Sequence, residues 1–203
     1  MHIAVLGASG KAGRLLVAQA VERGHQVTAL VRAPEQFDAP ASELLDVARA
    51  DVMSPDACPD LSRFDATVSA IGISKGDGPG ALVAGARLLA AAGVRTVWLG
   101  ALGTGVSTGA GGRLYQAIMQ KVVGKEMQER TEADRIAQDA GATVFHAPDL
   151  WVGSVSPKRR LVPLADVERP VLPPHISRAT LAALMLDEAE KGRHSGEIVV
   201  PLS

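Results

Sequence analysis

Short apolar runs alternate along the chain with segments whose apolar residues recur every three or four positions. Residues 3–6, 27–31, 67–71, 96–99, 143–146 and 198–200 are of strand length and rich in β-branched side chains. They lack the polar alternation of a sheet that faces water, so they predict strands covered on both faces. Between the first two runs, Gly13, Leu16, Val17, Ala20, Val21 and Gly24 fall on one helix face. A second helix is expected over about 81–92, closed by Gly93. A third is expected over about 113–140, with a break at Gly124 and a stop at Gly141. A last helix carries Leu181, Leu184 and Met185. Alternating elements of these lengths predict an α/β fold, a doubly wound and mainly parallel sheet forming one domain over 1–203.

Two stretches leave this rhythm. Residues 103–112 are so rich in glycine that their backbone entropy predicts a mobile loop or lid, ordered only by a partner. Residues 151–177 hold five prolines and the basic triplet Lys158, Arg159 and Arg160, and they predict a small C-terminal cap on the substrate side. The triplet itself fits a solvated turn.

The chemistry enters at the first strand. Gly7-Ala8-Ser9-Gly10-Lys11-Ala12-Gly13 follows that strand directly and opens the first helix. Glycines permit the tight turn and the close approach of a pyrophosphate, whose charge then meets the N–H groups and positive dipole end of the helix. In this strand-turn-helix setting the pattern points to a dinucleotide. The second strand ends at Val31-Arg32, about 25 residues after Gly7, where an NAD site holds an acidic residue for the ribose 2′-hydroxyl. Arginine there suits the 2′-phosphate of NADP, so NADP(H) is expected over NAD(H). Two alternatives stand beside this: Arg32 as an ordinary strand-end residue, and Glu35 folding back toward the ribose. A further strand region, between the second run and 67–71, is expected to end at Ala50-Asp51-Val52, where Asp51 and Val52 offer a carboxylate and an apolar side chain for an adenine edge, or a plain loop.

Composition narrows the partners. The 203 residues include 47% hydrophobic and 21% charged side chains, enough for a sizeable core. With 21 Lys and Arg against 22 Asp and Glu, the net charge is −1, which argues against nucleic acid or an anionic membrane as partner. No apolar stretch approaches the roughly 18 residues of a membrane span. The first residues lack a secretory pattern, so the cytoplasm is the expected compartment. The lone Cys58 cannot form an internal disulfide, and no metal site is suggested.

Taken together, the strand followed by GASGKAG, Leu30-Val31-Arg32, Asp51-Val52 and Ser69-Ala70-Ile71-Gly72 resemble the atypical short-chain dehydrogenases/reductases. The resemblance is to their NAD(P)H-binding group, which includes flavin reductase/biliverdin reductase B and the NmrA-like proteins. It continues through 130–141, His146-Ala147-Pro148 and Ile176-Ser177-Arg178. It implies a Rossmann fold in which Gly7, Ser9, Gly10, Lys11 and Ala12 cradle the pyrophosphate and Arg32 meets the 2′-phosphate. Asp51 and Val52 would hold the adenine, Ala70, Ile71 and Gly72 line the cofactor, and Pro148, Asp149 and Leu150 flank the nicotinamide.

The catalytic pattern departs from that of typical relatives, which place a Tyr four residues before a Lys so that the phenol can pass a proton to a carbonyl. Here those two places fall on Glu126 and Arg130, and Tyr115 has its nearest following lysine at Lys121, on a different helix face. The serine expected after the strand over 96–99 is also missing, since the chain there reads Leu99-Gly100-Ala101-Leu102-Gly103. Thr104 and Asp149 are the remaining catalytic candidates, with Ser107 and Thr108 as neighbouring hydroxyls; His146 is expected inside the last core strand, and Trp151 offers a flat apolar wall. These departures favour hydride transfer from NADPH to a flavin such as FMN or FAD, a quinone or a similar flat small molecule, which needs little acid catalysis. A non-catalytic NADP-binding redox sensor is the alternative, followed by an epimerase or dehydratase.

Overall fold

The computed structural model describes residues 1–39, 41–73 and 79–203. In chain order the elements are β1 (His2–Leu6), α1 (Lys11–Glu22), β2 (Gln26–Val31), β3 (Leu45–Arg49), β4 (Ala66–Ser69), α2 (Ala81–Ala92) and β5 (Arg95–Ala101). There follow α3 (Arg113–Val123), α4 (Met127–Asp139), β6 (Thr143–Ala147), β7 (Asp149–Trp151), β8 (Arg160–Pro163), β9 (His175–Ser177), α5 (Arg178–Lys191) and β10 (Ile198–Leu202). Eight strands form one sheet in the order β3-β2-β1-β4-β5-β6-β10-β8, while β7 and β9 pair separately. All ladders of the large sheet are parallel except that between β10 and β8. This is the doubly wound Rossmann arrangement expected from the alternating pattern.

The apolar strands are buried because helices cover both faces. On one side Leu16, Val17 and Ala20 of α1 and Leu181, Met185 and Leu186 of α5 pack with Val5, Val68 and Phe145. On the other side Leu82, Ala86 and Leu89 of α2 and Ala133 and Ala137 of α4 pack with Leu6, Trp98 and Val144. Neighbouring residues of a strand go to opposite faces, so Val144 and Phe145 enter different cores. Truncating a fully buried leucine such as Leu16 or Leu181 to alanine leaves a cavity costing about 2–5 kcal/mol.

Element boundaries explain the site. β4 stops at Ser69, two residues before the expected end, and so leaves Ala70, Ile71 and Gly72 outside the ladder. The expected long helix is indeed two, α3 and α4, joined by a tight turn over 124–126. The expected cap is partly absorbed into the main sheet, because β8 pairs along β10. Only β7 and β9 stand apart from it.

Residues 103–112, expected as a mobile loop or lid, form a turn with hydrogen bonds of its own. Gly103 N–H donates to Ser107 Oγ at 2.9 Å, and Ser107 Oγ donates to the Thr104 carbonyl at 2.9 Å. Gln116 closes the turn from α3, accepting from Gly109 N–H and donating to the Gly103 carbonyl. These contacts within the protein oppose the backbone entropy of the glycines. No helix of the described residues is long and apolar enough to cross a membrane.

Candidate functional site

The turn after β1 is shaped by three close approaches. Gly7 has φ +77°, and a Cβ there would stand 2.8 Å from Ile71 N and 2.9 Å from the Ala70 carbonyl, so β1 and the chain leaving β4 meet only over a glycine. A Cβ at Gly13 would overlap the Gly7 carbonyl oxygen, which seats α1 directly under the turn. Gly10 N–H donates to that same carbonyl at 3.0 Å. Gly10 is the N-cap of α1, no side chain caps the helix, and its first turn holds no acidic residue. The positive end of the helix is thus left for an outside anion.

This turn forms one wall of a cavity of about 260 Å³ at the carboxyl ends of β1, β2 and β4. Gly7, Ser9, Gly10, Arg32, Asp51, Val52, Ala70, Ile71 and Gly72 all line it, which brings together nine residues singled out in the sequence. Asp51 is held in place by its own turn, since its Oδ1 accepts from Met53 N–H at 3.0 Å. The Cys58 thiol donates to the Asp51 carbonyl, and burial pushes that thiol above its usual range. Lys11 and Ala12 are not in the lining: Lys11 is exposed at the start of α1, and Ala12 is buried beneath the turn. Met53 and Ala81 line the cavity without having been expected. Met53 follows the expected Asp51-Val52 pair, and Ala81 opens α2 across the crevice, so only the topology reveals it.

Farther along the same sheet edge lie the ends of β5 and β6. Pro148 is buried in the link from β6 to β7. Leu150 turns inward and packs on the main core, so its side chain is directed away from the edge. Asp149 is exposed and accepts from Trp151 Nε1 at 2.6 Å. Thr104 is corrected as a catalytic candidate: it is fully buried, and its hydroxyl donates to the Ala101 carbonyl at 2.7 Å. A hydroxyl so placed cannot reach a substrate.

Beneath this end runs a buried polar chain that the sequence reading did not assemble. Asp134 Oδ1 accepts from Trp98 Nε1 at 2.8 Å, and its Oδ2 lies 3.1 Å from His146 Nε2, although without the alignment of a hydrogen bond. On the other side of the ring, His146 Nδ1 meets Ser107 Oγ at 2.6 Å. The Asp134 carboxylate fills the space over Gly100, where a Cβ would come within 2.7 Å of it. A signal was present: Asp134 interrupts the apolar stripe of α4 between Ala133 and Ala137, where an acid demands a buried partner. The lone tyrosine, Tyr115, is packed against Gly111 below the same edge, and burial together with the Asp149 charge pushes its phenol up to about 12.

A glycine turn opening an uncapped helix, set at the switch point of a doubly wound sheet, defines a dinucleotide-binding α/β protein. The chain belongs to the NAD(P)H-binding family, whose pattern it matches over residues 7–191. A solved structure from Bacteroides thetaiotaomicron, provisionally named an epimerase, shares 26% identity at a TM-score of 0.76, covering 100% of this chain and 97% of that one. A Streptococcus pneumoniae protein provisionally named an NADH-flavin reductase shares the fold at 23% identity and a TM-score of 0.73, covering 100% and 99%. So does the anaerobillin reductase of Escherichia coli O157:H7, at 16% identity and a TM-score of 0.77, covering 100% and 97%. Among curated proteins, the uncharacterized YwnB of Bacillus subtilis (strain 168) is 40% identical over 76 residues. That match takes in 37% of this chain and about a third, 34%, of YwnB.

Proposed function

We propose that this protein is an NADPH-dependent reductase that delivers hydride to a flat small-molecule acceptor such as a flavin or quinone. The observation that carries the reading is the state of Tyr115. Reduction of an aliphatic carbonyl needs a phenol made more acidic by a neighbouring lysine, whereas this phenol is buried and driven up to about 12. A flavin or quinone accepts hydride with little acid catalysis, so binding and orientation suffice. The proteins provisionally named NADH-flavin reductase and named anaerobillin reductase share the fold, and their names are in keeping with a reductase here.

The lining of the cavity suits the adenosine and pyrophosphate part of a nicotinamide dinucleotide. Gly7, Ser9 and Gly10 with the first N–H groups of α1 would hold the pyrophosphate, and Asp51 and Val52 the adenine. Arg32 on the cavity wall would meet the 2′-phosphate, which supports NADP(H) over NAD(H). Ala70, Ile71 and Gly72 would pass the dinucleotide toward Pro148 and Asp149, where it supplies hydride. The test is NADPH oxidation with FMN, FAD, quinones and aldehydes in parallel. Turnover confined to the planar acceptors is expected. Turnover with aldehydes alone overturns the reading, and cofactor binding without any turnover leaves a redox sensor.

A further inference from the structure

Five of the six Phe, Tyr and Trp side chains are buried, but Trp151 is 54% exposed. It is nevertheless fixed. Its Nε1–H donates to Asp149 Oδ2 at 2.6 Å, and its ring lies nearly flat on the His175 imidazole, with centroids 4.4 Å apart and planes 19° from parallel. The backbone explains the grouping. β7 and β9 run parallel with Asp149 opposite His175, so strand alternation places Asp149, Trp151 and His175 on the outer face while Leu150 and Ile176 turn into the core. Val152, next in the chain after Trp151, is exposed as well.

We propose that Trp151, backed by His175 and anchored by Asp149, is the stacking platform for a planar, electron-poor ring. Three observations converge on this. An exposed indole that is both hydrogen-bonded and stacked has already lost the freedom that a ligand would otherwise have to remove, which is preorganisation. One face of the indole is taken by His175, and the residue as a whole is still half exposed, so a second ring can reach it. The location also fits, because β7 leaves the carboxyl end of β6 on the sheet edge that carries the dinucleotide cavity. From β1 to β6 is three strand spacings, about 14 Å at about 4.8 Å each, at the far end of that edge from the adenosine walls. Indole is electron-rich, so offset stacking favours an electron-poor partner, and the Asp149 carboxylate at the ring's edge disfavours an anionic substituent there. Oxidised isoalloxazines and quinones have this character, and aliphatic carbonyls do not. That the ring bound here is the hydride acceptor rests on the reductase reading.

The test uses riboflavin binding, followed by its own fluorescence anisotropy, and menadione turnover, with cyclohexanone as a non-aromatic control. Trp151→Ala should raise the riboflavin Kd and the menadione KM about three- to tenfold. NADPH affinity and melting temperature should stay unchanged, Trp151→Phe should recover most of the loss, and His175→Ala should fall between. Cyclohexanone should not compete. The proposal is overturned if wild type does not bind riboflavin, if Trp151→Ala binds it equally well, or if that variant loses NADPH in the same proportion. Trp151-dependent riboflavin binding without any turnover would sink the reductase reading and leave the platform. Turnover with an unchanged KM in Trp151→Ala would do the reverse.

Discussion

At the scale of single residues, Arg32 carries the sharpest expectation about the cofactor. It stands on the wall of the cavity just after β2, and under the proposed reading it would meet the 2′-phosphate that distinguishes NADPH from NADH. A charge-assisted hydrogen bond contributes about 1.5–3 kcal/mol, so Arg32→Ala should raise the NADPH Kd roughly tenfold or more and leave NADH nearly unchanged. Raised salt should narrow the wild-type preference in the same direction, since exposed charge is screened. Measuring both dissociation constants for both proteins at two salt concentrations decides it, and equal loss of both cofactors would remove Arg32 from the site. The place of Arg32 on the cavity wall was legible in the sequence because a strand end and a glycine turn fix it. Thr104 was misread for the opposite reason, since its burial depends on the 103–109 turn folding back on Ser107, a contact that no local pattern announces.

Elements are held in register by polar ties that do not show in the hydrophobic pattern. Arg23 at the end of α1 pairs with Asp187 at 2.9 Å and Glu190 at 2.8 Å on α5, and His25 adds a contact to Glu190 at 3.0 Å. Burial alone would raise the Glu190 carboxyl, but the hydrogen bonds from His25 and Arg23 outweigh it and hold the group below its ordinary value. A carboxyl lowered in the folded state adds stability above its unfolded pKa and loses that contribution as the pH falls through the folded one. Glu190→Gln should therefore lower the melting temperature near pH 7 by a few degrees, on the order of 1 kcal/mol. The two proteins should converge as the pH drops below roughly 4.3; a constant gap across the acid range would assign the loss to packing instead. The turn after β5 gives a second element-scale expectation. Ser107→Ala leaves Gly103 N–H and His146 Nδ1 without their partner, which costs about 2 kcal/mol. Amide exchange at Gly103 should be slow in wild type with or without NADPH and fast in the variant. Exchange that slows only when ligand is added would restore the lid. The helices α1, α2 and α5 and the parallel strands other than β3 were readable because each carries enough periodic or consecutive apolar residues. β7, β8 and β9, with three or four residues each, are set by long-range pairing and were not.

For the molecule as a whole, topology makes the site: β2 and β3 lie on one side of β1, β4 and its successors on the other, and the crevice opens where the two halves diverge. A dinucleotide seated there touches the carboxyl ends of both halves and binds only the folded chain. At a hundredfold excess over Kd it adds about 2.7 kcal/mol of stability, which for a domain of this size is about 5–10 °C in melting temperature. NADPH should therefore raise the melting temperature by that amount in wild type and equally in Trp151→Ala, whose change lies at the other end of the edge. Gly10→Glu provides the contrast. A Cβ at Gly10 would approach the Gly7 carbonyl to 3.3 Å, a contact that a small shift relieves, whereas one at Gly13 would overlap it. The Gly10 variant should accordingly fold, yet lose the NADPH shift, because a carboxylate now stands where the pyrophosphate must meet the helix end. Thermal melts of the three proteins with and without NADPH check this. A full shift in Gly10→Glu would mean that the dinucleotide does not lie across the turn after β1, and the cavity would need another occupant.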